Sequence, residues 1–306
     1  MRRSDFASFR PVLLMGVGNL ERSTGLDASA EATIDQLGHV GPWFLLKLLR
    51  FLGRPIVDVL VAVDGSGVLG TGTVLWLPKT AYVAGMATRP EFRGRGIASR
   101  ILTLQDELAR RRHREWLALD TESENETALR VYRKAGYQEI GKFAWYTRNG
   151  PPVSVEKAPY PVATVRRSDW KKLIARLDAS RPEEYRAAYP ARPRLLHHNE
   201  ILVRGGRFEN ETWWRETAGG AIGVVRAYYV PGTRMGALFP LTTAPAFPSA
   251  ELTGLFAAAT DWLRAREPTR CLAAAPDTHD GVATALEQAG FSAVVSSTAM
   301  VRRTSA

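Results

Sequence analysis

Apolar positions change their period along the chain, and the changes mark strands and helices. From Ala81 to Ala87 they run almost unbroken, which predicts a buried strand. From Ile97 onward they recur at Ile97, Ile101, Leu104 and Leu108, the spacing of one helix face. Trp116-Leu117-Ala118-Leu119 predicts a second buried strand. Between the first strand and the helix lies a loop of arginines and glycines, Arg89 to Gly96. Such a loop sits at a helix N-terminus, where the first amides lack intrahelical acceptors and the helix dipole is positive, so it suits a pyrophosphate. Gly94 and Gly96 let the backbone approach the anion without a Cβ in the way, and Arg93 and Arg95 add charge.

The dinucleotide-binding fold competes for this pattern. Gly94-Arg95-Gly96-Ile97-Ala98-Ser99 nearly spells its glycine fingerprint, and Asp120 lies at the end of the next strand-like run. Two features count against it. Its first glycine should follow the strand directly, whereas Arg89 to Arg93 intervene here, with Pro90 barred from a central ladder; the third glycine is Ser99.

The downstream sequence decides between them. Arg93, Gly96 and Ala98 fit the pattern (Arg/Gln)-x-x-Gly-x-(Gly/Ala), and Asn125, Ala128, Tyr132, Gly136 and Tyr137 fit Asn-x-x-Ala-x-x-x-Tyr-x-x-x-Gly-(Phe/Tyr). Together, in this order, they resemble the two motifs of the GNAT acetyltransferase superfamily over roughly residues 1 to 157. The resemblance implies an α/β (α+β) fold, a mixed, splayed central sheet flanked by helices, with acetyl-CoA as co-substrate. It implies that amides of Met86, Ala87 and Thr88 line the pantetheine arm. Arg93, Gly94, Arg95, Gly96, Ile97, Ala98 and Ser99 would hold the pyrophosphate, Asn125 and Ala128 would meet the pantetheine, and Tyr132 would face the thioester sulfur.

The implied chemistry is direct attack of an amine on a thioester in a ternary complex, which needs an acid for the leaving thiolate and a donor for the carbonyl oxygen. Tyr132 is the expected acid and the Met86 N–H the expected oxyanion donor. An alkylamine with a pKa of about 10 must also lose a proton before attack. Asp120 is the first candidate base, acting through water, and Glu122 the second. Asp120 equally suits a helix cap or strand end. The alternative function is a non-catalytic acyl-CoA-binding or sensory module, but such a binder has no need of a general acid.

The second half reads as a worn copy of the first. Val165-Arg166-Arg167-Ser168-Asp169-Trp170 echoes Met1-Arg2-Arg3-Ser4-Asp5-Phe6, and Ala289-Gly290-Phe291 echoes Ala135-Gly136-Tyr137. Between these, Gly236 to Leu241 predicts a strand, Leu252, Leu255, Phe256, Ala259 and Leu263 a helix, and Leu272-Ala273-Ala274 a second strand. Echoes in one order signal an internal duplication. The copy has lost chemistry: its loop reads Pro245-Ala246-Phe247-Pro248-Ser249-Ala250-Glu251, and its tyrosine position is Leu286. Prolines remove donors and a carboxylate repels phosphate. Two tandem GNAT folds are therefore expected, an intact domain over 1–160 and a degenerate one over 161–306. The boundary lies in the turn-rich stretch around Pro151-Pro152 and Pro159-Tyr160-Pro161, with a closing strand at Val153 to Lys157. Whether the copies exchange a strand stays open at this stage.

Composition narrows the remainder. The chain has 306 residues, is 45% hydrophobic and carries a net charge of +10. The excess charge is spread over both halves without a basic tail or a recognised nucleic-acid module, so no nucleic-acid partner is expected. The run Arg110-Arg111-Arg112-His113-Arg114 ends a helix and complements its dipole. The leucine-rich stretch from Trp43 to Leu52 is too short to span a bilayer, and one cysteine, Cys271, suits a reducing cytoplasm. His197-His198 and Asp277-Thr278-His279 match no zinc spacing, and no metal is expected. The partners that the resemblance implies are acetyl-CoA and an amine acceptor, small molecule or peptide, and a monomer or homodimer is expected. Trp43 to Leu49, Phe143, Trp145 and Tyr146 favour an apolar or peptide-like acceptor.

Overall fold

The structure is a computed structural model, and it describes residues 57–155, 162–165, 170–179, 183–188, 209–242, 247–276 and 280–304. The chain forms two compact units, the first of them made of two separate segments. One runs to Ile140 and takes in the C-terminal stretch from Thr298; the other is Gly141–Ser297.

In the first unit, β1 (Val57–Asp64), β2 (Gly67–Trp76) and β3 (Thr80–Thr88) form an antiparallel meander. The β1–β2 turn is tight because Ser66 donates both its N–H and its hydroxyl to Asp64 Oδ1, at 2.7 and 2.6 Å, and Gly67 takes a φ of 111°. Next come α1 (Ile97–Arg111), β4 (Trp116–Glu122), which lies parallel to β3, and α2 (Glu126–Lys134). The neighbour of β4 on its other side is β11 (Ser292–Arg303), whose residues from Thr298 belong to this unit.

The buried face of α1 departs from the expected apolar stripe at one position and takes in two polar side chains. Leu104 is exposed, whereas Ile101, Leu102, Gln105, Asp106 and Ala109 are buried. Two polar side chains are tolerated inside because each is paired: Gln105 Nε2 donates to Thr73 O at 3.3 Å, and Asp106 meets Arg302 at 2.8 Å. The helix also sits close to the sheet. A Cβ added at Gly72 would lie 2.5 Å from Met86 Sδ and 2.7 Å from Ile101 Cγ2, so only glycine admits the helix at this depth. At the far end, Arg112 pairs with the buried Asp58 at 2.8 Å and covers the Trp76 ring, and Arg114 donates to Pro78 O. The arginine run thus fastens α1 to the sheet.

The second unit repeats this order. It contains β6 (Ala163–Thr164), α3 (Trp170–Ala179), α4 (Glu183–Ala188), β7 (Glu209–Glu216), β8 (Ile222–Val230), β9 (Met235–Thr242), α5 (Ser249–Arg264), β10 (Arg270–Pro276) and α6 (Asp280–Gln288). Its sheet ends on β5 (Gln138–Asn149), which pairs antiparallel with β10 from Pro276↔Phe143 to Arg270↔Asn149. The repeat shows in detail: β4 and β10 have 7 residues each, α2 and α6 have 9 each, and β5 and β11 have 12 each. Even the turn is reproduced. Tyr137 N donates to Tyr132 O and Phe291 N to Leu286 O, with Gly136 and Gly290 at φ of 85° and 80°.

Some expectations change. Of the closing strand expected at Val153 to Lys157, Val153–Val155 form no strand and Glu156 and Lys157 lie outside the described residues; Val153 N donates to Ala289 O and Val155 packs into the second core. Alternation along β7 sends Trp213 under α5 and Trp214 toward Leu173 and Leu177. Tyr146 is buried in the second unit's core. The segment from Trp43 to Leu52, His197, His198, Pro245 and Asp277 to His279 lie outside the described residues.

Candidate active site

The site begins with a defect in β3. Opposite Gly72 stand two residues, Gly85 and Met86, because the register jumps from Thr71↔Ala87 to Thr73↔Ala84. Gly85 takes a φ of 56°, the left-handed turn of a β-bulge. The bulge bends the strand. β3 and β4 pair only over Thr80↔Trp116, Ala81↔Leu117 and Tyr82↔Ala118, then part while running on to Thr88 and Glu122. Arg89 N donates to Leu69 O, on the β2 side, at 2.9 Å. Alternation therefore turns the Thr88 and Met86 amides toward the opening, where an extended ligand arm could add as a strand.

Beyond β3, Pro90–Phe92 forms a short 3-10 turn, at whose start the N–H that proline lacks is not called for, and carries the chain across the sheet end. Gly94 and Gly96 then take φ of 77° and 75°, and Gly96 caps α1 without a side-chain bond. The first bond of the helix is Arg100 N to Gly96 O at 3.0 Å, so the amides of Ile97, Ala98 and Ser99 precede it. Arg93 Nε donates to Thr88 O at 3.3 Å, holding its guanidinium over the strand end. Phe92 was not singled out by its sequence. Its ring carries two guanidiniums, Arg89 at 5.3 Å and Arg95 at 5.0 Å, and Arg89 also pairs with Glu91.

At the other side of the opening, Asn125 caps α2, its Oδ1 accepting the Ala128 amide at 3.1 Å. This leaves its amide nitrogen as the group with which it can meet a ligand. Tyr132 is 8% exposed and meets Tyr137 edge-on, with ring centroids 5.9 Å apart. Burial first, and the Asp120 charge second, push the Tyr132 hydroxyl up to about 12. The structure thus brings Asp120, at the end of β4, within electrostatic range of Tyr132. Glu122 is half-buried on the same strand, on the face shared with Asp120. Cys271 lies in the second core, and burial pushes its thiol up to about 12, so it is no nucleophile. Among the described residues no group of three or more His, Cys, Asp or Glu side chains gathers to hold a metal.

Residues 55–139 match the family model described as acetyltransferase (GNAT) domain. That stretch is similar to a GNAT domain. The match takes in the bulged strand, the Arg93–Ser99 loop and Tyr132. Two solved structures extend the fold likeness beyond it. A tandem GNAT protein from the clavulanic acid biosynthesis pathway has 16% identity and a TM-score of 0.51, with 82% of this chain and 85% of that one covered. A GCN5-related N-acetyltransferase from Sphaerobacter thermophilus has 12% identity and a TM-score of 0.62, with 100% and 95% covered. No curated protein sequence matches the chain significantly. Its fold class is therefore α/β, two tandem GNAT folds with mixed, splayed sheets.

At the corresponding place the second unit differs. Phe247, 2% exposed, sits at the start of α5, so close beneath β8 that a Cβ on Gly223 would lie 2.5 Å from its ring. Pro248 stands where α5 is capped, and Glu251 in its first turn pairs with Arg215. Leu286, in the tyrosine's place, is fully buried.

Proposed function

We propose that the first unit is an acetyl-CoA-dependent N-acetyltransferase that moves an acetyl group to an amine of a small molecule or peptide. The observation that carries this reading is the opening between β3 and β4, with the Gly94–Ser99 amides at one end and a protonated, buried Tyr132 near the other. In this reading the pyrophosphate rests on the amides from Arg93 to Ser99, and Arg93 and Arg95 neutralise it. The pantetheine arm pairs with the amides of Met86 and Thr88, beside Ala87, and reaches Asn125 and Ala128. The amine attacks the thioester carbonyl, whose oxygen is met by the Met86 N–H. The carbon–sulfur bond breaks and Tyr132 protonates the departing thiolate. Asp120, or in second place Glu122, takes the amine's proton through water. Tyr132 holds its proton throughout neutral pH and so has one to give.

The second unit, in this reading, binds no coenzyme: Phe247 and Pro248 occupy the start of α5, and Glu251 repels phosphate. Calorimetric titration with acetyl-CoA tests the whole reading, and one site per chain is expected. Two sites would restore the second copy, and none would remove the coenzyme reading at its base. Tyr132→Phe separates enzyme from binder. Turnover, followed by thiol release, should fall at least about tenfold with coenzyme affinity unchanged. Unchanged turnover would exclude Tyr132 as the acid.

A further inference from the structure

The C-terminal end of β11 is built into the first unit, although it closes the second repeat. Met300 is fully buried in a cluster with Leu102, Leu129, Tyr132 and Tyr137. Ser123 and Thr298 share a hydroxyl bond of 2.9 Å, and Thr304 donates its N–H to Glu115 O and its hydroxyl to Arg114 O. Between these anchors, Arg302 reaches two places with one guanidinium. Its Nη2 pairs with Asp106 Oδ1 at 2.8 Å, midway along the helix that begins at the glycine loop. Its Cζ lies 5.4 Å from the centre of the Tyr137 ring, and that ring holds the edge of Tyr132.

We propose that Arg302 is a positioning residue of the acyl-coenzyme site, fixing α1 and its loop against the Tyr132–Tyr137 pair, so that the chain's last strand is part of the catalytic unit. The inference rests on the acetyl-CoA reading above. A coenzyme gripped by both helices gains affinity if they are fixed before it arrives, since binding then orders less. Arginine suits the place better than lysine, because a planar guanidinium serves a carboxylate at its edge and an aromatic ring at its face. Asp106 is 9% exposed in its side chain and is buried between two cations, Arg302 at 2.8 Å and Arg110, on its own helix, at 3.6 Å.

The test compares two ligands on the full-length chain. Acetyl-CoA spans both helices, whereas adenosine 3′,5′-bisphosphate lacks the pantetheine arm and engages the loop side alone. Both are titrated calorimetrically into the wild type, Arg302→Lys and Arg302→Met, with thermal unfolding recorded for each. Arg302→Met should weaken acetyl-CoA about tenfold and the bisphosphate by no more than about twofold, with Arg302→Lys between. If Arg302→Met does not fold, Arg302→Lys decides, because it keeps the cation for Asp106 but not the ring contact. Equal losses for the two ligands, or wild-type acetyl-CoA affinity in the variants, would overturn the proposal alone. A wild type that binds neither ligand would overturn the coenzyme reading and the proposal with it.

Discussion

A buried tyrosine beside an aspartate is an acid that holds its proton. Tyr132 titrates near 12 in the folded chain and near 10 when unfolded, because burial and the Asp120 charge both disfavour tyrosinate. The sign of the linkage follows. Below about pH 10 both states are protonated and the stability owed to this group is complete; as pH rises from about 10 through 12 the unfolded chain loses the proton first, and stability falls. Spectrophotometric titration should therefore show at least one tyrosine ionising only near alkaline unfolding, and Tyr132→Phe should lessen the stability lost between about pH 10 and 12. Asparagine gave a different lesson. Asn125 was legible as a motif residue, but its use of Oδ1 as a helix cap appears only once α2 is placed.

At the scale of elements, three glycines shape the opening. Gly85 supplies the positive φ of the bulge, and Gly70 and Gly72 let α1 approach β2; a Cβ on Gly70 would lie 2.9 Å from Ala87 O and from Ile97 Cγ2. Gly72→Ala should cost about 1–3 kcal/mol by overpacking, read as a lower midpoint in thermal unfolding, since Ile101 Cγ2 and Gln105 Nε2 have little room to move. Gly85→Ala meets only Thr73 Oγ1 at 3.3 Å, so its cost comes from the backbone, about 1–2 kcal/mol, and its larger effect should fall on coenzyme affinity. The strand–loop–helix order was legible because each element has its own period. The orientation of α1 was not. Its leucine at 104 faces solvent and its Asp106 faces inward, where Arg302, far off in sequence, and Arg110, one turn on, supply the counter-charge.

At the scale of the whole chain, the second copy of the repeated order lacks the glycines and arginines of the Arg93–Ser99 loop and buries Phe247 just before α5. Phe247→Ala should cost about 3–5 kcal/mol through the cavity it leaves among β8 and α5, and should still leave one acetyl-CoA site per chain, because removing the ring restores neither glycines nor basic side chains. Thermal unfolding and calorimetric stoichiometry check the two halves of that statement. The sequence by itself determined the repeated elements, the loop and the tyrosine, since these depend on local periodicity and on motifs written within a few dozen residues. Only the tertiary structure decided that β5 from Gly141 pairs with β10, that Thr298–Thr304 completes the first core, and that Asp106 is buried against Arg302. The physical reason is that two similar final strands carry nearly interchangeable apolar patterns. Which sheet each one joins is settled by long-range packing and by a buried charge pair, neither of which leaves a local signal in the chain.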